Sequence, residues 1–188
     1  MKKLLVIGSD SNLAKYIIED LKKSKLSIYR ITRKEVDFDT TKSKSILKKY
    51  LKKINPDIII NCVGIFKDNN FSFKSIFNIN TKVGWDLIDY YRIEMKKKVK
   101  IIFIGSSAYN KPRKNYILYV ASKSALNSMV ISAKDLFLNT NIELSIINPP
   151  AMKSKMRNKF YKNDKLKKQK LTIEIDPKII SKKIIRKF

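Results

Sequence analysis

The chain contains no histidine, a single cysteine, only four glycines and no long apolar run, and most of these shortages remove a class of function. Without histidine, imidazole-based acid–base chemistry is excluded. Without histidine and with only Cys62, the usual zinc sites are excluded as well, and no metal centre is expected. A lone cysteine forms no internal disulfide and suits a reducing compartment, so the expected location is the cytoplasm. No stretch reaches the ~18 apolar residues of a membrane-spanning helix. The apolar run after Lys3 stops at Gly8, too soon for a signal peptide, and reads as a first strand.

Acid is scarce too. Sixteen Asp and Glu face 42 Lys and Arg, a formal charge of +26, and such a surface attracts nucleic acid, anionic lipid or phosphorylated ligands. The lysines, however, run along the whole chain with isoleucine and asparagine, a mixture that an AT-rich genome encodes. The densest runs, Lys96–Lys98 and Lys165–Lys170, read as solvated helix ends or loops. No zinc finger or aromatic RNA-binding signature accompanies them, so nucleic acid is not the expected partner.

What the chain does have is alternation. β-Branched runs at 3–8 ("KLLVIG"), 26–32, 57–64, 100–107 and 142–150 end in Gly, Ser, Thr or Pro. Helical patterns lie between them at 13–23, 44–53, about 73–97 and about 116–138. "EVDF" (35–38) reads as one further short strand. Residues 177–187 read as a final helix, with Asp176 as N-cap and Pro177 at its first position. Continuous apolar strands separated by helices predict a single-domain α/β fold, a Rossmann-like doubly wound parallel β-sheet with helices on both faces. At 188 residues the chain is long enough for one such domain with a sizeable core.

Ligands of such sheets bind at the carboxyl ends of the strands, and those ends carry the unusual residues. "GSDSNLA" follows the first strand, where Gly8 lets backbone approach a pyrophosphate and the helix start offers N–H donors. Thr32 and Arg33 stand at the end of the second strand, where an NAD-specific site has a carboxylate; an arginine suits a 2′-phosphate. "YVASK" sets Tyr119 and Lys123 four residues apart on one helix face, where an ammonium lowers the pKa of a phenol. Tyr161 and Lys165 repeat that spacing, but they lie in a polar segment expected to be mobile. Cys62 reads as a buried small apolar side chain.

Taken in order, these stretches resemble the short-chain dehydrogenase/reductase family. "GSDSNLA" resembles its glycine-rich cofactor turn with two glycines missing, and "DF" (37–38) its adenine-receiving pair. "NCVG" (61–64) resembles its Asn-Asn-Ala-Gly strand end, and "NINTKVG" (78–84) carries its helix asparagine at Asn80. "IGSSAY" (104–109) resembles its serine strand end, "YVASK" its Tyr-x-x-x-Lys motif, and "NPPAMKSKM" (148–156) its Pro-Gly-x-x-x-Thr-x-Met segment. Many members place the serine thirteen residues before the tyrosine, which selects Ser106 over Ser107.

The resemblance implies an NADP(H)-dependent oxidoreductase, with NAD(H) as the other cofactor, acting between nicotinamide and a small-molecule carbonyl or alcohol. Its catalytic set would be Asn80, Ser106, Tyr119 and Lys123, with Asn80 holding a water that relays protons from Lys123. The cofactor would be held by Gly8, Ser11, Asn12, Leu13, Arg33, Asp37, Phe38, Asn61, Val63, Gly64, Tyr119, Lys123, Pro149 and Ser154. Asn61 also reads as a structural hydrogen-bonder between strands. A lysine-rich lid over about 151–171 would favour an anionic substrate. The resemblance also implies a homodimer or homotetramer, and the further strand and tail that commonly end family members are not expected after the helix at 177–187. Residues 32–64 also resemble the nucleotide-sugar reductase branch, which leaves a reductase or epimerase of surface-polysaccharide synthesis, or a non-catalytic dinucleotide-binding scaffold, as alternatives.

Overall fold

The computed structural model describes residues 1–94, 98–111, 113–161 and 174–188. Strands β1 (Lys2–Ile7), β2 (Leu26–Ile31), β3 (Ile58–Asn61), β4 (Val99–Ile104) and β5 (Ile142–Ile147) form one parallel sheet in the order β2-β1-β3-β4-β5. All five apolar runs singled out in the sequence supply strands. Their continuous hydrophobicity has a simple cause: successive side chains point to opposite faces, and both faces are covered. Leu5, Ile7, Ile59, Ile101 and Phe103 pack against one layer. Leu4, Val6, Ile58, Ile60, Ile102 and Ile104 pack against the other.

The first layer is made of α2 (Ser43–Ile54), α4 (Val83–Ile93) and α5 (Ile117–Leu136), contributing Leu47, Leu51, Val83, Leu87, Leu126 and Val130. The second is α1 (Asn12–Asp20) and α7 (Pro177–Ile185), contributing Leu13, Ile17, Ile180 and Ile184. Asp176 caps α7 as its sequence predicts, accepting from the Lys178 N–H at 2.9 Å, and Ser181 in that helix donates to Asp20 of α1 at 2.6 Å. Two shorter helices, α3 (Phe73–Phe77) and α6 (Lys155–Phe160), complete the described residues with a 3₁₀ turn at Ser107–Asn110. Among the described residues no helix is long and apolar enough to cross a membrane.

Two expectations change, and a third falls partly outside the described residues. "EVDF" is not a strand: Val36 donates to Thr32 O at 3.2 Å, the Thr32 N–H donates to the Glu35 carboxylate at 2.7 Å, and the chain curls there into a turn. The burial of Val36 and Phe38 imitates strand alternation, but both point into the core from a loop. The helix expected over 73–97 is interrupted by a π-helical turn at Asn78–Lys82 between α3 and α4; residues 95–97, including Lys96, lie outside the described residues. The segment expected to act as a lid contains α6, and its part from 162 onward, with Lys165 and the run to Lys170, also lies outside them.

Candidate active site

The chain leaves β1 for one side of the sheet and returns through β3 on the other, so the carboxyl ends of β1 and β3 part there. A cleft of about 440 Å³ opens at that point, where a doubly wound sheet binds its ligand. Gly8, Ser11, Asn12, Leu13, Arg33, Asp37, Phe38, Val63, Gly64, Tyr119, Lys123 and Ser154 all line it. Gly8 has φ +73°, and a Cβ there would lie 2.9 Å from Cys62 C and Val63 N. Only glycine fits this conformation and this gap. Ser11 caps α1 by accepting from the Ala14 N–H at 3.3 Å. The cradle therefore suits the pyrophosphate of a dinucleotide, with Gly8 admitting the backbone and the start of α1 supplying N–H groups.

At the open end of the cleft, Arg33 reaches Asp37 at 3.4 Å with 70% of its side chain exposed. Glu35 folds back onto the end of β2, where it accepts from both the N–H and the hydroxyl of Thr32. An acid thus reaches the strand end that looks acid-free in the sequence, although it does not line the cleft.

The closed end is built on α5. Lys123 is 4% exposed, and its Nζ donates to Ile104 O at 3.1 Å. Burial lowers its pKa to about 8, opposed by the nearby Cys62 thiol. The same burial pushes the Cys62 thiol up to about 12, with Lys123 pulling the other way. Tyr119 is half-buried, and desolvation raises the pKa of its hydroxyl, opposed by the neighbouring Ser106 hydroxyl and the charge of Arg157. The sequence expectation that Lys123 lowers it is therefore corrected, because the lysine is turned toward β4.

Asn80 lies in the π turn, a widening that often marks functional positions. Its Oδ1 accepts from the Ile65 N–H at 2.7 Å, and its Nδ2 donates to Ile65 O and to Ser122 Oγ, both at 3.0 Å. Its side chain thus pins the loop after β3 to α5 rather than reaching into the cleft. A Cβ on Gly64 would lie 3.2 Å from Lys123 Nζ and 3.4 Å from Asn80 Oδ1, so these groups converge.

Beside the cleft is a second pocket of about 120 Å³ that shares Gly105, Tyr119, Met152, Ser154 and Met156 with it. Ser106 and Pro149 line this pocket and not the cleft. Asn61 lines neither; its Oδ1 accepts from the Val63 N–H at 3.1 Å, a structural role. Ser154 caps α6 by accepting from the Arg157 N–H at 3.1 Å. Phe66 fixes the outer wall, stacking on Phe160 at 4.1 Å and meeting Tyr119 edge-on at 4.7 Å. Tyr161, expected in a polar mobile stretch, is instead 5% exposed and packs in this aromatic cluster under Arg157.

Several residues here carry no motif. Asn148 Oδ1 accepts from the Ser106 N–H at 3.1 Å, and its Nδ2 donates to Asn127 of α5 at 2.7 Å. A Cβ on Gly105 would lie 1.9 Å from that Asn148 oxygen, so this ladder needs glycine there. Ser106 is consequently registered against α5, the helix that carries Tyr119. Lys15, Met152 and Pro177 line the cleft, and Arg113 and Arg157 the smaller pocket. The sequence signals for Asn148 were its place at the end of β5 and at the head of "NPPAMKSKM".

Residues 2–165 match the profile described as short chain dehydrogenase. A curated relative, the bifunctional ribulose 5-phosphate reductase/CDP-ribitol pyrophosphorylase Bcs1 of Haemophilus influenzae, is 25% identical over 168 residues, covering 84% of this chain and 35% of the relative. The chain therefore spans about a third of that protein's length. Among solved structures, the 3-alpha-hydroxysteroid dehydrogenase of Pseudomonas sp. in complex with NADH superposes with a TM-score of 0.81 at 13% identity, over 98% of this chain and 88% of that one. A short chain dehydrogenase of Burkholderia cenocepacia in complex with NADP gives 0.76 at 15% identity, over 97% and 83%. At these identities the structural likeness is one of fold.

Proposed function

The chain belongs to the short-chain dehydrogenase family, and on that premise we propose that it reduces the carbonyl of a small substrate with NADP(H), or oxidises the corresponding alcohol. Nicotinamide, when bound in the cleft, supplies or accepts the hydride. One observation carries the reading: Tyr119 stands on the wall shared by the large cleft and the small pocket, and Ser106 lines that small pocket with it.

A carbonyl in the small pocket faces the cleft across that wall. Ser106 Oγ accepts from the Ala108 N–H at 3.2 Å, and its hydroxyl turns to donate to a carbonyl oxygen held in the pocket that it lines. Tyr119 donates its proton to the same oxygen as charge develops there, and takes one from an alcohol in the reverse direction. Lys123, with a pKa of about 8, holds the ribose beside the nicotinamide and carries an exchangeable proton at the base of the cleft. Arg33 and Lys15, both on the cleft lining, supply positive charge for a 2′-phosphate. The relative from H. influenzae is named for reducing ribulose 5-phosphate, so a five-carbon ketose is the first carbonyl to try.

The test starts with the purified protein titrated with NADPH and NADH while nicotinamide fluorescence is followed. Tighter binding of NADPH supports the role of Arg33 and Lys15. Tyr119→Phe is expected to lower turnover about a thousandfold, as loss of a positioned acid does, while NADPH binding stays nearly constant. Turnover that survives this substitution rejects the assignment.

A further inference from the structure

Among the described residues that line the small pocket, Arg157 carries the one buried side-chain nitrogen or oxygen without a hydrogen-bond partner. The residue is 9% exposed. Its Nε donates to Glu174 at 2.5 Å, and its guanidinium lies 4.8 Å over the ring of Tyr161. Its Nη2 is shut off from solvent and, among the described residues, donates to nothing. Leaving a buried charged donor unpaired costs about 1–3 kcal/mol or more, and a fold tolerates that where a ligand completes the pairing.

The position favours a ligand. Arg157 lines the pocket together with Ser106 and Tyr119, and its charge acts on the hydroxyls of both Tyr116 and Tyr119. Arg113 lines the same pocket, half-buried, and among the described residues no acidic side chain does. Glu174 occupies one edge of the guanidinium fork and leaves another for an oxyanion, which such a fork binds through parallel N–H donors. Two arginines suit a phosphate, whose three oxygens can serve both, better than a carboxylate. A pocket of about 120 Å³ admits a short phosphorylated chain. A nucleotide sugar calls for the ~300–1,000 Å³ typical of larger ligand sites.

We propose that Arg157, assisted by Arg113, binds the phosphate group of the substrate, which is a small carbonyl compound bearing a phosphate monoester. The inference rests on the reading of Ser106 and Tyr119 as the carbonyl-binding pair, and Arg157 acts as a specificity determinant for that reaction.

The experiment compares D-ribulose 5-phosphate with D-ribulose, using the full chain and saturating NADPH, in the unaltered protein, Arg157→Gln and Glu174→Gln. The unaltered protein is expected to favour the phosphorylated ketose in kcat/KM by on the order of 100-fold, the worth of a charged hydrogen-bond pair. Arg157→Gln should collapse that preference at least tenfold, chiefly through KM, and Glu174→Gln should keep it. No preference in the unaltered protein, equal losses on both ketoses in Arg157→Gln, or the same collapse in Glu174→Gln overturns the proposal and makes the arginine a clasp between α6 and the start of α7. Calorimetry of D-ribulose 5-phosphate and of inorganic phosphate, with the NADP⁺-loaded protein and its Arg157→Gln variant, reads the site without turnover. Heat that depends on Arg157 supports the anion site, and heat that does not overturns it. Reduction of D-ribulose with no phosphate preference rejects this inference and leaves hydride transfer standing. Binding that depends on Arg157 without turnover of any carbonyl does the reverse.

Discussion

The two ends of the large cleft are built on opposite terms. At the end near β2, Arg33 and Asp37 form a loose, solvent-exposed pair, and charges there are screened within about 10 Å by salt. At the end near α5, Lys123 and Asn80 are enclosed, and each has an assigned partner. Water sets the properties of the first end and burial those of the second. The difference teaches that identical residue types do different work: one of many lysines in a +26 chain becomes, at position 123, a group that titrates near neutrality.

Substitutions can sharpen or break this contrast. The largest effect is expected for Lys123→Met, which should lower turnover about a thousandfold and yet stabilise the cofactor-free protein. The drop from 10.5 to about 8 corresponds to roughly 3 kcal/mol against the buried ammonium. Because the folded pKa lies below the unfolded one, the unfolded chain holds the extra proton between about pH 8 and 10.5, and stability rises with pH across that window. The gain in Tm from Lys123→Met should therefore be greatest below pH 8 and shrink toward pH 10.5. A gain independent of pH would mean the lysine is not buried as a cation.

Gly8→Ala comes next. It combines a positive φ with a 2.9 Å collision against the backbone of Cys62 and Val63, and a cost of about 2–3 kcal/mol is expected. Denaturant unfolding reads that cost, and fluorescence titration should show weaker binding of NADPH and NADH alike. The smallest effect belongs to the exposed end. Arg33→Ala should weaken NADPH about tenfold, leave NADH nearly unchanged and reduce the salt dependence of NADPH binding. Equal losses for both cofactors would mean that Arg33 holds the loop and not a phosphate.

The same contrast explains what could be read from the sequence. The strands declare themselves because β-branched runs such as "DIIIN" are buried on both faces, and the site residues fall at their carboxyl ends. Local features written in contiguous residues, such as the Asp176 cap and the Tyr119–Lys123 pair, were legible for the same reason. Asn148 and Arg157 were not, since each acquires its role from a residue more than fifteen positions away: Asn127 or Ser106, and Glu174. Val36 and Phe38 misled because alternate burial is also available to a loop crossing the core. The π turn at Asn78–Lys82 lies inside a continuous helical pattern and leaves no periodic trace. The direction in which Lys123 turns depends on the carbonyl at the end of β4, which no spacing rule contains.

The glycine turn has a consequence for the order in which the molecule is made. Gly8 emerges from the ribosome before Cys62 and Val63, yet its cradle is closed by their backbone and needs β3 paired against β1. Parallel pairing of this kind brings together residues far apart along the chain and forms slowly. A nascent chain ending before β3 thus carries the cofactor-binding motif without the pocket. Dinucleotide capture then marks the completion of the central sheet, not its beginning.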